Sequence, residues 1–423
     1  MNLLIETLQK RDKFSSALLY PVYFLLGLYY PLFSFMRKTF PAYMGQLVVF
    51  YHILLFMLLI KNILQKNSIL DWIFLMLLFY LCCKSYQYNF DFYNIFGTMM
   101  LLFCAKNIEI RKIVKLDLYI RIVRCILFFT LPFMGLMINE INIWIGGRTR
   151  TFFGWTHPNM MGLDFLLLAM DIMYLRKEKK KWYDIILYIG FILLLEKTAN
   201  SRTAEVIILM LIIIHLLSIM VNDAIFNKLM VLFTSGAFLL CLGIPLIGCY
   251  LYLHHPEYFA SYNGTMLSRI QLSCSFYSKN SGFGFYGFPI YDNDCLDMFF
   301  PYVSLHWGTA ATIILTFAII YAIIMAAIKH NTSMLLLLFF FLIYGCSETA
   351  HIYPVYSYFS FLLGYYIMNR KPFSLHIKWK TGLPVRALKR SIASISISAE
   401  MRLRIWIHQN PCNYYSRKWG KSQ

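Results

Sequence analysis

Four arginines stand beside strongly apolar runs, and their chemistry suits a substrate rich in phosphate oxygens. Arg148 and Arg150 lie in "GGRTRTFFGWTHPNMMG", Arg202 lies in "KTANSRTAEVII", and Arg269 lies in "LSRIQL". A guanidinium group binds phosphate oxygens bidentately and keeps its charge at any ordinary pH. A carboxylate such as Asp297 is suited to accept a proton as a general base. Together these residue types suit group transfer away from a diphosphate.

Other polar residues follow the same pattern. Pro158 suits the first turn of a helix, which would begin there with free N–H groups and a positive dipole end that favours anions. His157 equally suits a plain helix-start role, and Asp164 follows it on roughly the same helical face. The candidate substrate-binding residues are Arg148, Arg150, His157, Asn159, Asp292, Glu348 and His351.

Each candidate also has a structural interpretation. Arg202 suits an interface arginine whose charged end reaches water, and Asp297 suits an acid favoured by the start of a helix. The run Asp292-Asn293-Asp294 spells a metal-binding DxD pattern, but three-letter patterns of this kind are common by chance. We therefore expect neither a metal nor a cofactor.

The elements that must position these residues are membrane spans. The chain has 423 residues, of which 59% are hydrophobic and only 14% charged, so it is expected to be an all-α polytopic membrane protein. Its net charge of +19 is concentrated in the segment from Asn369 onward, where twelve Lys or Arg accompany one acid, Glu400. Such segments are typical of contact with a lipid bilayer, and we expect no nucleic-acid partner.

Apolar runs predict about twelve spans, with a domain of spans over 1–368 and a basic cytoplasmic tail over 369–423. The runs are at 15–35, 43–60, 69–83, 91–105, 119–138, 160–175, 184–199, 204–220, 229–252, 305–328, 333–346 and 352–368. Several runs are short, which leaves ten or eleven spans as alternatives. With twelve, every basic loop falls on one side, so both termini are predicted to be cytoplasmic. The large loop at about 253–304 is then extracytoplasmic.

Four motifs on the predicted outer face resemble those of a known family. They are "FFGWTHPNMMG", "TANSRT", "LSRIQL" with the later "GFGFYG", and "LDMFFPYVSLHWG". In this order, from about Ile138 to Gly364, the chain resembles the Wzy-type polysaccharide polymerases of capsules and exopolysaccharides and the related O-antigen ligases.

The resemblance implies a GT-C-like glycosyltransferase in the plasma membrane of a bacterium. It would polymerise undecaprenyl-diphosphate-linked oligosaccharide repeat units at the outer face, with a chain-length regulator and a flippase as partner proteins. Arg202 and Arg269 match the arginines that hold the diphosphate, and Asp297 matches the general base. Met298, Phe299 and Pro301 depart from the family's pattern, which leaves Asp292 as an alternative base.

Two alternative functions remain open at this stage. A ligase of the same architecture would move the glycan to a different acceptor. A flippase or other transporter of lipid-linked glycans would be expected to have repeat-related halves and charges near the middle of the bilayer. Asp171, inside the sixth predicted span, is the strongest residue in favour of the transporter.

Overall fold

The structure is a computed structural model and describes residues 2–89, 92–137, 141–144, 148–176, 181–258, 266–290 and 296–369. Helices dominate the described residues. They are α1 Asn2–Thr39, α2 Met44–Leu64, α3 Ile69–Asn89, α4 Phe92–Cys104, α5 Ile110–Phe133, α6 Pro158–Leu175, α7 Asp184–Lys197, α8 Arg202–Met220, α9 Asp223–His254, α10 Met266–Lys279, α11 Phe299–Pro301, α12 Thr309–Ile328, α13 Thr332–Gly345 and α14 Phe359–Met368. The predicted tail over 369–423 lies outside the described residues apart from its first residue.

One small sheet interrupts the helices. The strands β1 Ile141–Trp144 and β2 Arg148–Thr151 pair antiparallel, with Asn142 opposite Arg150. The hairpin lies between α5 and α6, and the Thr151 N–H donates to the Thr198 carbonyl at 3.2 Å. The end of the hairpin is therefore held against the turn that ends α7.

Every apolar run predicted as a span contains a helix, and the prediction of an all-α polytopic membrane protein is confirmed at that level. Among the described residues, seven helices are long and apolar enough to cross a membrane. They are Phe14–Thr39, Pro41–Leu64, Ile69–Gln87, Pro158–Leu175, Arg202–Met220, Asp223–His254 and Thr309–Ile328. Helices α4, α13 and α14 are apolar but shorter, whereas α5 is long but carries charges along its length. A count of twelve crossings stays a prediction.

Apolar side chains cover the outside of the bundle as well as its core. Large residues such as Phe317 on α12 and Leu232 on α9 are 68% and 65% exposed, while α13 is buried along nearly its whole length. A helix surrounded by other helices, with apolar residues on the outer surface, is the arrangement expected inside lipid.

Hydrogen bonds group the helix ends into two sets. The end of α1 meets the start of α6, since Ser34 donates to the Gly154 carbonyl at 2.6 Å. At the opposite end, Asn369 after α14 donates to the Ala105 carbonyl after α4 at 2.9 Å, and Lys106 pairs with Asp71 of α3 at 2.6 Å. We call the end at which α6 and α8 begin and α13 ends the site end.

The glycine-rich run after α10 supports the start of α12. Gly287 and Gly308 both have positive φ, at 82° and 94°, and a Cβ atom on Gly287 would overlap the His306 carbonyl. Because the two backbones approach so closely, the Thr309 N–H donates to the Gly284 carbonyl at 3.0 Å. These contacts satisfy amide groups that a helix start leaves unpaired. The rings of Phe283 and Phe285 stay exposed, at 52% and 58%.

Candidate functional site

Arg269 on α10 is the centre of the polar group at the site end. Its Nη2 lies 2.7 Å from Glu348 Oε1, and its Nε lies 3.4 Å from Asp297 Oδ2. Its Nη1 donates to the Ser347 carbonyl. Burial disfavours the charged guanidinium, but the two carboxylates outweigh burial and raise the pKa of Arg269. The side chain is 20% exposed, so Arg269 is a fixed cation that still reaches the surface.

Glu348 is the buried partner of that cation. It follows α13, it is 6% exposed, and its Oε1 also accepts from Asn159 Nδ2 at 2.7 Å. Burial raises the pKa of Glu348 to about 7, with Arg269 opposing the rise and Asp297 adding to it. A carboxyl group with this pKa exchanges its proton near neutral pH.

The start of α6 forms the second side of the polar group. His157 caps the helix, since its Nδ1 accepts from the Asn159 N–H at 3.2 Å, and Pro158 is the first helical residue. The helix start predicted from Pro158 is therefore present. The charges of Asp297, Arg150 and Arg269 all act on the His157 ring. Residues from β2, α6, α10 and the segment before α11 thus share one polar region.

Arg202 begins α8 next to this region. The residue before it, Ser201, lies against Gly162 of α6, where a Cβ atom would be 2.7 Å from the Ser201 Cβ. The residue after it, Thr203, has its Oγ1 3.4 Å from the Ser347 Oγ, and Ser347 is the neighbour of Glu348. Arg202 is exposed, so its guanidinium is open to solvent or lipid headgroups at the site end. The position agrees with an arginine at the end of a helical hairpin rather than in its middle.

Several candidate residues are not placed with this group. His351 is 1% exposed and packs among the rings of Phe299, Phe341, Tyr344 and Phe359. Burial lowers the pKa of His351 to about 3, so the ring stays neutral and lies beneath the site instead of facing it. Asp292 and Asp294 lie outside the described residues, as does the side chain of Arg148, whose backbone forms the first residue of β2.

A second charged group lies inside the bundle, and the sequence analysis did not identify it as a cluster. Arg121 of α5 pairs with Asp117 at 2.9 Å and with Asp164 of α6 at 2.5 Å. Arg124 pairs with the other oxygen of Asp164 at 3.0 Å, and Trp155 Nε1 donates to that oxygen at 2.8 Å. The four charged side chains are each about 1% exposed. The available signal was the spacing of Asp117, Arg121 and Arg124, which places one acid and two bases on one helix face.

The geometry of the site end permits anion binding beside the carboxyl groups of Glu348 and Asp297. Arg269 in the first turn of α10 and Arg202 at the start of α8 offer guanidinium groups at the site end, and the start of α6 adds the positive end of a helix dipole. Asp297 is partly exposed, at 36%, and is therefore accessible to a hydroxyl group. No family model matches the chain, and no curated protein or solved structure matches it either.

Proposed function

We propose that this protein is a membrane glycosyltransferase that polymerises lipid-diphosphate-linked oligosaccharide repeat units into a capsular or exopolysaccharide. The lipid would be undecaprenyl diphosphate, and the reaction would occur at the outer face of a bacterial plasma membrane. The observation that supports the proposal most is the grouping of Arg269, Glu348 and Asp297 beside the starts of α6 and α8. The sequence motifs that resemble the polymerase family contribute residues to this same grouping.

The proposed reaction is a displacement at the anomeric carbon of the donor glycan. A hydroxyl oxygen of the acceptor repeat unit forms the new bond to that carbon, and the bond from the carbon to the phosphate oxygen breaks. The electron pair leaves with the diphosphate, whose charge Arg269 and Arg202 would neutralise. The hydroxyl proton moves to the Asp297 carboxylate.

Release from Arg269 would make Asp297 a stronger base, because an ion pair with a guanidinium stabilises the carboxylate form. Both carboxylates now held by Arg269 occupy positions that phosphate oxygens would take, because the guanidinium fork binds either group in the same geometry. Arrival of the diphosphate would thus displace Asp297 from Arg269 and free it to accept the proton. Asp292 stays the alternative base.

The test is reconstitution of the full chain in vesicles with one authentic lipid-diphosphate-linked repeat unit. We expect a ladder of products that are multiples of that unit. Arg269→Ala and Arg202→Ala should abolish the ladder, whereas Arg37→Ala should retain it, since Arg37 is an exposed arginine in the last turn of α1 at the same end of the bundle. A full ladder from both site variants would contradict the proposed diphosphate contact. Transfer of a single unit to a different acceptor would favour the ligase.

A transporter of lipid-linked glycans is the second candidate, and one observation favours it. Charged residues inside a membrane span often mark ion or proton pathways, and Arg121, Arg124, Asp117 and Asp164 form such a cluster within the bundle. If this candidate is right, the vesicles will show movement of the lipid-linked unit from one leaflet to the other and no ladder. Product analysis and leaflet assays on the same vesicles therefore separate the two functions.

A further inference from the structure

The buried cluster between α5 and α6 contains a third acid, Asp171. Asp171 is fully buried and lies on α6 two turns beyond Asp164. Its Oδ1 accepts from the hydroxyl group of Tyr358, just before α14, at 2.7 Å. Its Oδ2 is buried and has no hydrogen-bond partner in the described part of the chain.

The carboxyl group of Asp117 on α5 is the neighbour of Asp171 in this cluster. Asp171 and Asp117 lie within hydrogen-bonding range of each other. Both oxygens of Asp117 already accept hydrogen bonds, from Arg121 Nε at 2.9 Å and from the Tyr23 hydroxyl of α1 at 2.7 Å. Two ionised carboxylates in contact would have only acceptors between them, which leaves the Asp171 oxygen unsatisfied.

The charge balance of the cluster also leaves one carboxylate without a cation. The cluster holds three acids, Asp117, Asp164 and Asp171, but two cations, Arg121 and Arg124. Both cations form their ion pairs with Asp117 and Asp164. The remaining neighbours are neutral: Tyr23 of α1 donates to Asp117 and Tyr358 donates to Asp171, while the Tyr30 ring lies 5.1 Å from the Arg124 guanidinium. An unpaired carboxylate at such depth costs far more free energy than a protonated one.

We propose that Asp117 and Asp171 form a proton-binding site that holds one proton between their carboxyl groups. The proton resides on Asp171 Oδ2 and is donated to Asp117, so that three acids and two arginines become a neutral group in which every carboxyl oxygen has a hydrogen-bond or ion-pair partner. The ligand of this site is the proton itself. The shared proton forms a hydrogen bond between α6 and α5. The separate hydrogen bond from the Tyr358 hydroxyl to Asp171 connects α6 to the start of α14.

Paired substitutions test the proposal, because the same Asp→Asn change should leave thermal stability unchanged at one position and lower it at the other. Asp171→Asn reproduces the protonated acid: its carbonyl oxygen accepts from Tyr358 and its amide donates to Asp117. We expect this variant to keep the thermal unfolding midpoint of the native protein. Asp164→Asn instead removes a charge bound by two arginines and should lower the midpoint by about 5 °C or more. Equal losses in both variants would overturn the proposal.

Infrared spectroscopy of the purified full chain provides a test that does not depend on any variant folding. The measurement is made at about pH 9, well above the pKa of about 7 for Glu348, so that Glu348 contributes no protonated signal. We expect the carbonyl stretch of a protonated carboxylic acid, shifted in D₂O and absent from Asp171→Asn. A native spectrum without this band overturns the proposal.

Discussion

At the scale of single residues, the geometry of the Arg269 fork matters more than its charge. Arg269 binds Glu348 at 2.7 Å, the Ser347 carbonyl and Asp297 through three different nitrogen atoms. A lysine offers one compact ammonium group and no planar fork. We expect Arg269→Lys to fold and insert normally but to lower the rate of glycan transfer by about a hundredfold. A transfer rate within threefold of the native value would show that only the charge is needed.

Glu348 makes the site sensitive to pH near neutrality. In the proposed reaction its carboxylate form would compete with the diphosphate for Arg269, while its protonated form would not. Because burial raises the pKa of Glu348 to about 7, we expect the transfer rate under limiting substrate to fall as pH rises from 6 to 8. Glu348→Gln mimics the protonated form and should flatten this part of the profile. An unchanged slope in Glu348→Gln would assign the pH dependence to another group.

The same carboxyl group also gives a stability prediction with a defined sign. The folded protein holds the Glu348 proton up to about pH 7, whereas the unfolded chain releases it near the ordinary value of 4.5. The folded state therefore binds more protons in this window, and stability falls as pH rises from about 4.5 to 7. Glu348→Gln should remove this contribution, which unfolding midpoints of the detergent-purified native and variant proteins will reveal.

At the scale of elements, the contact between α6 and the start of α8 fixes Arg202 beside the site. A Cβ atom on Gly162 would lie 2.7 Å from the Ser201 Cβ and 2.9 Å from the Ala204 Cβ. We expect Gly162→Ala to displace the start of α8, to reduce stability by about 1–3 kcal/mol and to reduce transfer. Gly190→Ala on α7 is the matched control, because no atom lies within 4 Å of its added Cβ. Equal activity in both variants would show that the position of Arg202 is not critical.

Local sequence signals predicted where the helices begin, but they did not predict the contacts between helices. Pro158 marked the start of α6, and the polar residues around Arg202 marked the turn before α8, since both signals act within one helical turn. The ion pair between Arg269 and Glu348 joins residues 79 positions apart, and the bond between Asn159 and Glu348 spans 189 positions. Such contacts depend on helix packing, which no local pattern encodes. Glu348 was accordingly predicted as a substrate-binding residue, without its ion pair or its raised pKa.

In the large loop at about 253–304, too, the sequence did not predict which contacts its residues make. The composition of its glycine and aromatic run suits a surface for sugars, because glycine permits close approach and aromatic rings stack on carbohydrate. In the structure the glycines allow the backbone to approach the start of α12, and Phe283 and Phe285 remain on the surface. Residue composition alone does not distinguish a backbone contact within the protein from one with a ligand.

At the scale of the whole molecule, the twelve-span prediction requires the two ends of the bundle to face opposite sides of the membrane. Lys279 ends α10 in the large loop, whereas Lys181 precedes α7 and Lys66 follows α2. All three are exposed, so an amine-reactive reagent that cannot cross membranes will report their sides. Of these three lysines, intact cells should give labelling of Lys279 alone, and inverted vesicles should give labelling of Lys181 and Lys66. Labelling of Lys279 and Lys181 from one side would mean that the spans between them do not alternate as predicted, and it would remove the site from the face at which the proposed reaction would occur.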